Sequence, residues 1–473
     1  MALVWSLAMG VAAAQPRQST ADIERRLAAV EAQVAALDED AAAVATVTDT
    51  TEALTARLAA IEATLAEMRR ARAATPAAVA EIDKLIRRTD TMALDIERIR
   101  TEVASMRRPP IAAPETKTPW PQLGGYLQTR YEVQATSDEV ESASFLIRRA
   151  RVELSGAVDD RLSYKASVEL SEPALRDAYI DAAFDHGIGV RAGQFKVPLT
   201  KSGLTSSRDL AFPDRPLMVG ALTYDRDIGA AVHGDLWGKR ARYFVGVING
   251  GGQNRTDDNR SPAEVARFYA TVVGAPIPYV IGDRDHALGP SLALGVAAIH
   301  DLMSVPTTVA GQPFDDDVDA DGDTDNIRLV TASADLTFRC GGFELLAEAV
   351  LRFADFGSIL DAPANQVVAT LVGDGDHRFG TYVQATYMLV PDLMVGARFE
   401  SSDLPLFRPQ GRSLTGGAGA AFEDARALSG LVQLYHGDHR LIGVSYSWSH
   451  LGLRGAAGSR NAHTVLAELQ LVF

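Results

Sequence analysis

The sequence predicts an all-β protein, a 16-stranded antiparallel transmembrane β-barrel preceded by an N-terminal α-helical coiled coil. Three observations predict it. From Trp120 onward the apolar residues recur at every second position, in segments of about ten residues, as in a strand with lipid on one side and water on the other. Before that point they recur at every third and fourth position, the spacing of a helical seam. Hydrophobic residues make up 47% of the chain, yet no run of about 18 apolar residues occurs. A membrane crossing, if there is one, is made by strands.

Residues 2–14, ALVWSLAMGVAAA, are apolar and end in small side chains. That is the composition of a signal peptide over residues 1–14, cleaved after Ala14. The stretch lacks Lys and Arg, and a frayed apolar terminus has the same composition. From Ile23 the apolar steps run through Leu27, Val30, Val34 and Leu37. They slip phase in the Thr-rich stretch Val44 to Thr51 and resume at Leu54, Leu58, Ile61, Leu65 and Met68. Pro76 breaks the helix. A second helix carries Ile82, Leu85, Met92, Ile96, Ile99, Val103 and Met106. So narrow a stripe on a charged helix cannot bury itself alone. It predicts a self-associating coiled coil over residues 20–106, or a single amphipathic helix lying on the barrel. At about 1.5 Å per residue the two helices span roughly 125 Å. Residues 107–121, RRPPIAAPETKTPWP, form a stiff Pro-rich linker and mark the domain boundary before 122–473.

In the barrel region, Tyr164, Ala166, Val168 and Leu170 alternate with Ser163, Lys165, Ser167 and Glu169. Such alternation places strands near 123–134, 144–156, 162–171, 175–184, 189–196, 227–236, 241–249, 264–273, 291–300, 327–338, 343–353, 378–388, 394–401, 426–435, 440–448 and 463–473. Connections such as 157–161, 185–188, 237–240, 339–342, 390–392 and 435–439 are tight, and most of those between are long. Short turns on the periplasmic side and long external loops are expected of outer-membrane barrels. The last strand sets Val465, Ala467, Leu469, Leu471 and Phe473 on one face, which resembles the sorting signal of bacterial outer-membrane barrels. A soluble sandwich alternates too, but rarely needs sixteen strands.

Charge excludes some classes. The formal net charge is -15, with 46 basic and 61 acidic side chains. No basic footprint for nucleic acid exists. The lone cysteine, Cys340, sits beside Gly341 and Gly342 and reads as a turn residue. No G-x-S-x-G, H-E-x-x-H or C-x-x-C occurs, so no enzyme is indicated.

One stretch runs against the acidic balance. Between strands five and six about 30 residues lack any period, and long loops of this kind are often functional. This loop region carries Lys196, Lys201, Arg208, Arg215 and Arg226 against Asp209, Asp214 and Asp225. By strand parity it is the third external loop. On strand two, Arg149 and Arg151 share parity with Glu153, while Leu146, Ala150, Val152 and Leu154 take the lipid side. Arg130 and Lys165 lie on neighbouring inward faces. Fixed positive charge at a narrow point selects anions, and Arg offers a fork that fits two phosphate oxygens. The same side chains can instead pair with wall carboxylates such as Asp177 and Asp181. His233 reads as wall rather than ligand. In the fifth external loop Asp317, Asp319, Asp321, Asp323 and Asp325 follow calcium-loop spacing, but Arg328 stands where the bidentate Glu belongs. A weak calcium site and a solvated acidic tip both fit; no other cofactor is indicated.

Four segments then carry a resemblance. FLIRRARVELSG (145–156), AGQFKVPL (192–199), DRDIGAAVHG (225–234) and YFVGVINGGGQN (243–254) resemble, in order and spacing, segments of the phosphate-selective porin O and P family. The resemblance covers most of residues 120–473. It implies a bacterial outer-membrane porin, a homotrimer whose third loop folds inward, with phosphate-like solutes on a lysine-lined path. Lys196 matches that motif best, and Lys201 and Arg208 follow as members of the same loop. The expected function is passive diffusion of small anions. Two alternatives are a weakly selective general porin and a cell-wall tether anchored by the barrel, with the coiled coil touching peptidoglycan in the periplasm.

Overall fold

The computed structural model describes residues 121–473, apart from 137–138, 258, 285, 288, 306–307, 310–311, 314, 321–324, 373–376, 406–421, 438–439 and 455–457. The expected signal peptide and coiled coil, and all but the end of the linker, lie outside the described residues.

Sixteen strands follow one another around a closed antiparallel barrel. They are β1 Gln122–Thr136, β2 Val140–Ala157, β3 Leu162–Glu169, β4 Ala174–Ala183, β5 Ile188–Lys196, β6 Arg226–Leu236, β7 Ala241–Ile248 and β8 Ala263–Val273. The second half is β9 Ser291–Ser304, β10 Asn326–Cys340, β11 Phe343–Asp355, β12 His377–Val390, β13 Leu393–Asp403, β14 Phe422–His436, β15 Arg440–Leu453 and β16 Ser459–Val472. A two-stranded ladder, Thr308–Val309 with Gln312–Pro313, decorates the fifth external loop. All sixteen predicted strands are present. Several extend past their predicted ends, because pairing continues where the lipid-facing alternation has stopped; β14 begins at Phe422. Closure joins β1 to β16 from Tyr126 opposite Val472 to Thr136 opposite Ala462. Outside the barrel stand Val432, Leu434, Ile442, Val444, Leu469 and Leu471, all exposed; inside stand Ser429, Gln433, Glu468 and Gln470, all buried.

One register shift corrects the predicted facing of β2. Gln128 of β1 pairs with Arg149, but Thr129 pairs with Ile147, so Arg148 is an extra residue in the ladder. Such a bulge reverses parity beyond it. Phe145 and Ile147 therefore face outward, 85% and 59% exposed. Leu146 lies opposite the inward Arg130 rather than on the lipid side.

Tight turns join most strands at one end. Between Cys340 and Phe343 the turn consists of Gly341 and Gly342, both at positive φ (58° and 85°), which a two-residue hairpin of this kind requires. Connection lengths depart from expectation at three places. The first two external loops, 137–139 and 170–173, are short. On the turn side, 274–290 is long and folds into the barrel mouth. Tyr269 Oη donates to Ile277 O (3.2 Å), and Gly282 N to Glu344 Oε1 (2.7 Å). Gly342 N donates to Asp283 Oδ2 (2.8 Å). Arg284 then reaches the β14–β15 turn, donating to Gly437 O (3.1 Å) with its guanidinium 4.0 Å from the Tyr435 ring centre.

The lumen holds an apolar core. The third external loop, 197–225, contributes Leu210, Phe212, Met218 and Leu222, which pack on Leu346, Val350, Tyr382, Met388 and Met394 of β11–β13. Each such side chain contributes about 1.5–3 kcal/mol on full burial. Those facing residues come from strands whose inward positions are apolar here and polar elsewhere.

Candidate functional site

The third loop crosses the lumen and is fastened to the wall at nearly every turn. It contains two short helices, α1 Lys201–Leu204 and α2 Leu217–Leu222. Thr200 caps α1, accepting from Gly203 N at 3.1 Å. Lys196 Nζ donates to the carbonyls of Gly203, Leu204 and Thr205 at 3.1, 2.8 and 2.7 Å. Lys201 is fully buried, and its Nζ donates to Thr337 Oγ1 (2.9 Å) on β10. Burial pushes this amine down to about 8, against the pull of the Glu344 carboxylate. Ser202 N donates to Glu348 Oε1 at 3.0 Å. Leu199 O accepts from Arg267 (2.7 Å) and Ser333 (2.6 Å). Tyr224 Oη donates to Asp301 Oδ2 at 2.7 Å, and Leu217 N to Glu400 Oε2 at 2.7 Å. Among the described residues Arg215 has no carboxylate at bonding distance. It donates to Ser202 O, Ser207 Oγ and Thr205 O at 3.1, 3.0 and 2.6 Å, and burial pushes it down to about 10.

The arginines of the β1–β2 wall meet the loop at Asp214. Arg130 bonds it at 2.8 Å, Arg148 at 3.3 Å, and Arg149 stands 3.7 Å away. Burial raises the Asp214 carboxyl, but these three guanidiniums outweigh it and hold it below the usual carboxylate range. Arg130 also pairs with Glu468 (2.9 Å), and Arg149 donates to Gln128 Oε1 (2.8 Å). Arg151 pairs with Glu169 at 3.0 Å rather than with the loop. Lys165 and Arg208 converge on Glu153 at 3.3 and 3.8 Å. Arg226 pairs with Asp177 at 2.9 Å and Asp225 at 3.2 Å.

The structure thus brings Arg130 and Arg149 together around the loop, and Lys165 with Arg208. Lys196 and Lys201 are taken up in holding the loop, each at its own point. Sequence reasoning missed Arg148, because its doublet with Arg149 reads equally well in either register. It also missed Arg267, Arg339 and Arg398, buried basic residues on inward faces. Parity along the predicted strands 264–273 and 394–401 made Arg267 and Arg398 readable, whereas Arg339 was assigned to the turn 339–342 and the strand in fact continues to Cys340.

His233 accompanies the wall, its Nε2 2.8 Å from Asp181 Oδ1. Asp321 and Asp323 lie outside the described residues. Nearby, Asp325 Oδ2 accepts from Val318 N (2.8 Å), an internal loop bond. Among the described residues no cluster of three or more His, Cys, Asp or Glu side chains could hold a metal ion.

The family described as Phosphate-selective porin O and P matches residues 122–395. No curated protein matches the chain at a significant level. Among solved structures the chain is similar to the anion-selective porin from Comamonas acidovorans, at 12% identity, 75% of this chain, 99% of that one and a TM-score of 0.48. It is similar to the outer membrane channel DcaP of Acinetobacter baumannii at 13% identity, 75% and 97% coverage and a TM-score of 0.47. It is also similar to OmpT of Vibrio cholerae at 13% identity, 76% and 99% coverage and a TM-score of 0.46. Likenesses at this level carry no functional inference.

Proposed function

The chain belongs to the phosphate-selective porin O and P family, and from that premise we propose that this outer-membrane channel carries small anions, phosphate-like solutes among them, by passive diffusion. The observation that supports this most is the convergence of Arg130, Arg148 and Arg149 on the single carboxylate of Asp214. Glu468 and Glu132 balance the other charges there, both through Arg130, so the positive excess, in a chain whose total is -15, is carried beside it by Lys196 and Arg215, which donate to carbonyl and hydroxyl oxygens. Two unit charges about 4 Å apart interact by roughly 4 kcal/mol at an effective dielectric near 20. Charges on outer loops are screened within about 8–10 Å at ordinary salt. Local excess at the narrow point therefore outweighs the acidic remainder. A second reading, a weakly selective general pore, is favoured by the wall pairs Arg151–Glu169, Lys165–Glu153 and Arg226–Asp177. The two differ in the sign and size of the reversal potential across a salt gradient. Wild-type channels should prefer chloride over potassium, with phosphate blocking chloride current. The double replacement Arg148→Gln with Arg149→Gln should move the reversal potential towards cations and weaken the phosphate block. Cation-selective wild-type channels would overturn the anion reading. Selectivity untouched by the double replacement would leave the general pore.

The assembly reading belongs to the same proposal. A homotrimer, with residues 20–106 as a periplasmic coiled coil that contacts peptidoglycan, is supported by the narrow apolar seam from Ile23 to Met106.

A further inference from the structure

Solute cannot pass evenly through this lumen. The third external loop packs on β11–β13, and segment 274–290 reaches from β8 to the β14–β15 turn. The two in-folded segments meet where Ile281 N donates to Asp209 O at 3.2 Å. Across the lumen, between the loop and the β4–β8 wall, lies a cavity of 410 Å³ near the turn end. That is within the range of small-molecule sites, about 300–1,000 Å³. Lys196 at the end of β5, with Pro198 and Leu204 of the loop, lines it on one side, and Tyr279 of the in-folded segment on another.

Its walls combine two chemistries. Asp181 holds both Arg191 and His233, at 2.5 and 2.8 Å. Asp235 pairs with Arg242, Oδ1 to Nε at 2.9 Å, and a guanidinium fork is the group that fits a carboxylate. Beside the two guanidiniums stand flat ring faces. The His233 ring stacks on Phe244, 6.3 Å between centres and 19° between planes. The Arg242 guanidinium lies 5.7 Å from the centre of Tyr279. An inorganic anion would lose water against such carbon walls and gain nothing from them. An anion with a flat apolar body would bury that body there while its charge meets guanidinium.

We propose that this turn-side cavity is a binding site for organic anions carrying a flat apolar body, of which an aromatic carboxylate is the simplest. The inference rests on the reading of the pore as an anion path, and it adds a second station below the third loop. The test uses full-length protein in planar bilayers, with sodium benzoate or sodium acetate added on the side of the short turns. Benzoate should reduce chloride current at a concentration at least fivefold below that needed for acetate. Tyr279→Ala should bring the benzoate-to-acetate ratio close to one. Tyr279→Phe, which keeps the ring and loses the hydroxyl, should retain it. Arg242→Gln should weaken block by both anions. Equal block by benzoate and acetate in the native channel, or a ratio unmoved by Tyr279→Ala, overturns the site. An anion-selective channel without benzoate preference defeats this inference alone. A cation-selective channel defeats the anion path itself, and this site with it.

Discussion

A lysine that donates to three carbonyls is spent on architecture. Lys196 holds the end of α1 to the foot of the third loop, so its removal should loosen the loop before it alters selectivity. Lys196→Met strands the carbonyls of Gly203 and Leu204, each costing about 1–3 kcal/mol if left buried and unpaired, while Thr205 O keeps its bond from Arg215. Single-channel recordings should show larger and noisier conductance with the preferred sign of ion unchanged. Unchanged conductance with lost anion preference would instead make Lys196 an ion ligand. Here the sequence was legible only to a depth. Parity along β1 correctly turned Arg130 inward, and composition marked the basic loop. Neither distinguishes a lysine facing a solute from one facing carbonyls, because that depends on where α1 ends. Leu146 was misplaced for a related reason. A bulge at Arg148 leaves no mark on local alternation, since RRA reads as well in either register.

At the scale of elements, strands were more legible than connections. Lipid on one face and water on the other impose alternation on every strand, so all sixteen could be found without tertiary information. A connection reveals its length but not its direction. Segment 274–290 offered one faint cue, apolar Ile277, Tyr279 and Ile281 at alternate positions in what should be a polar turn; all three are buried. Its far end depends on Arg284, which bonds Gly437 O and lies over Tyr435. Arg284→Ala should free that end and open the turn-side mouth next to β14 and β15. Single-channel conductance should rise, and rise less in Arg284→Lys, which keeps a donor. If neither variant changes conductance, the segment does not limit flow.

At the scale of the whole molecule, the barrel closes using residues 122–473 alone, since β1 pairs directly with β16. Deleting residues 20–106 should therefore leave a heat-resistant barrel that migrates as folded on electrophoresis. The same deletion should weaken the oligomer and abolish co-sedimentation with peptidoglycan. Retention of both properties would show that the N-terminal region serves neither. The closing seam also governs the order in which the fold can form. Gly125 and Phe473 exchange backbone bonds at 2.9 and 3.0 Å, so contacts between the two ends of the barrel sequence are the last to become available. Until Ser459–Val472 has been synthesised, every partly paired sheet keeps two open edges, with β1 exposed throughout. Open edges recruit other strands, and pairing this distant in sequence is slow. A chain interrupted before its final strand would thus remain an open, adhesive sheet rather than a smaller pore, and periplasmic chaperones and proteases would meet it in that form.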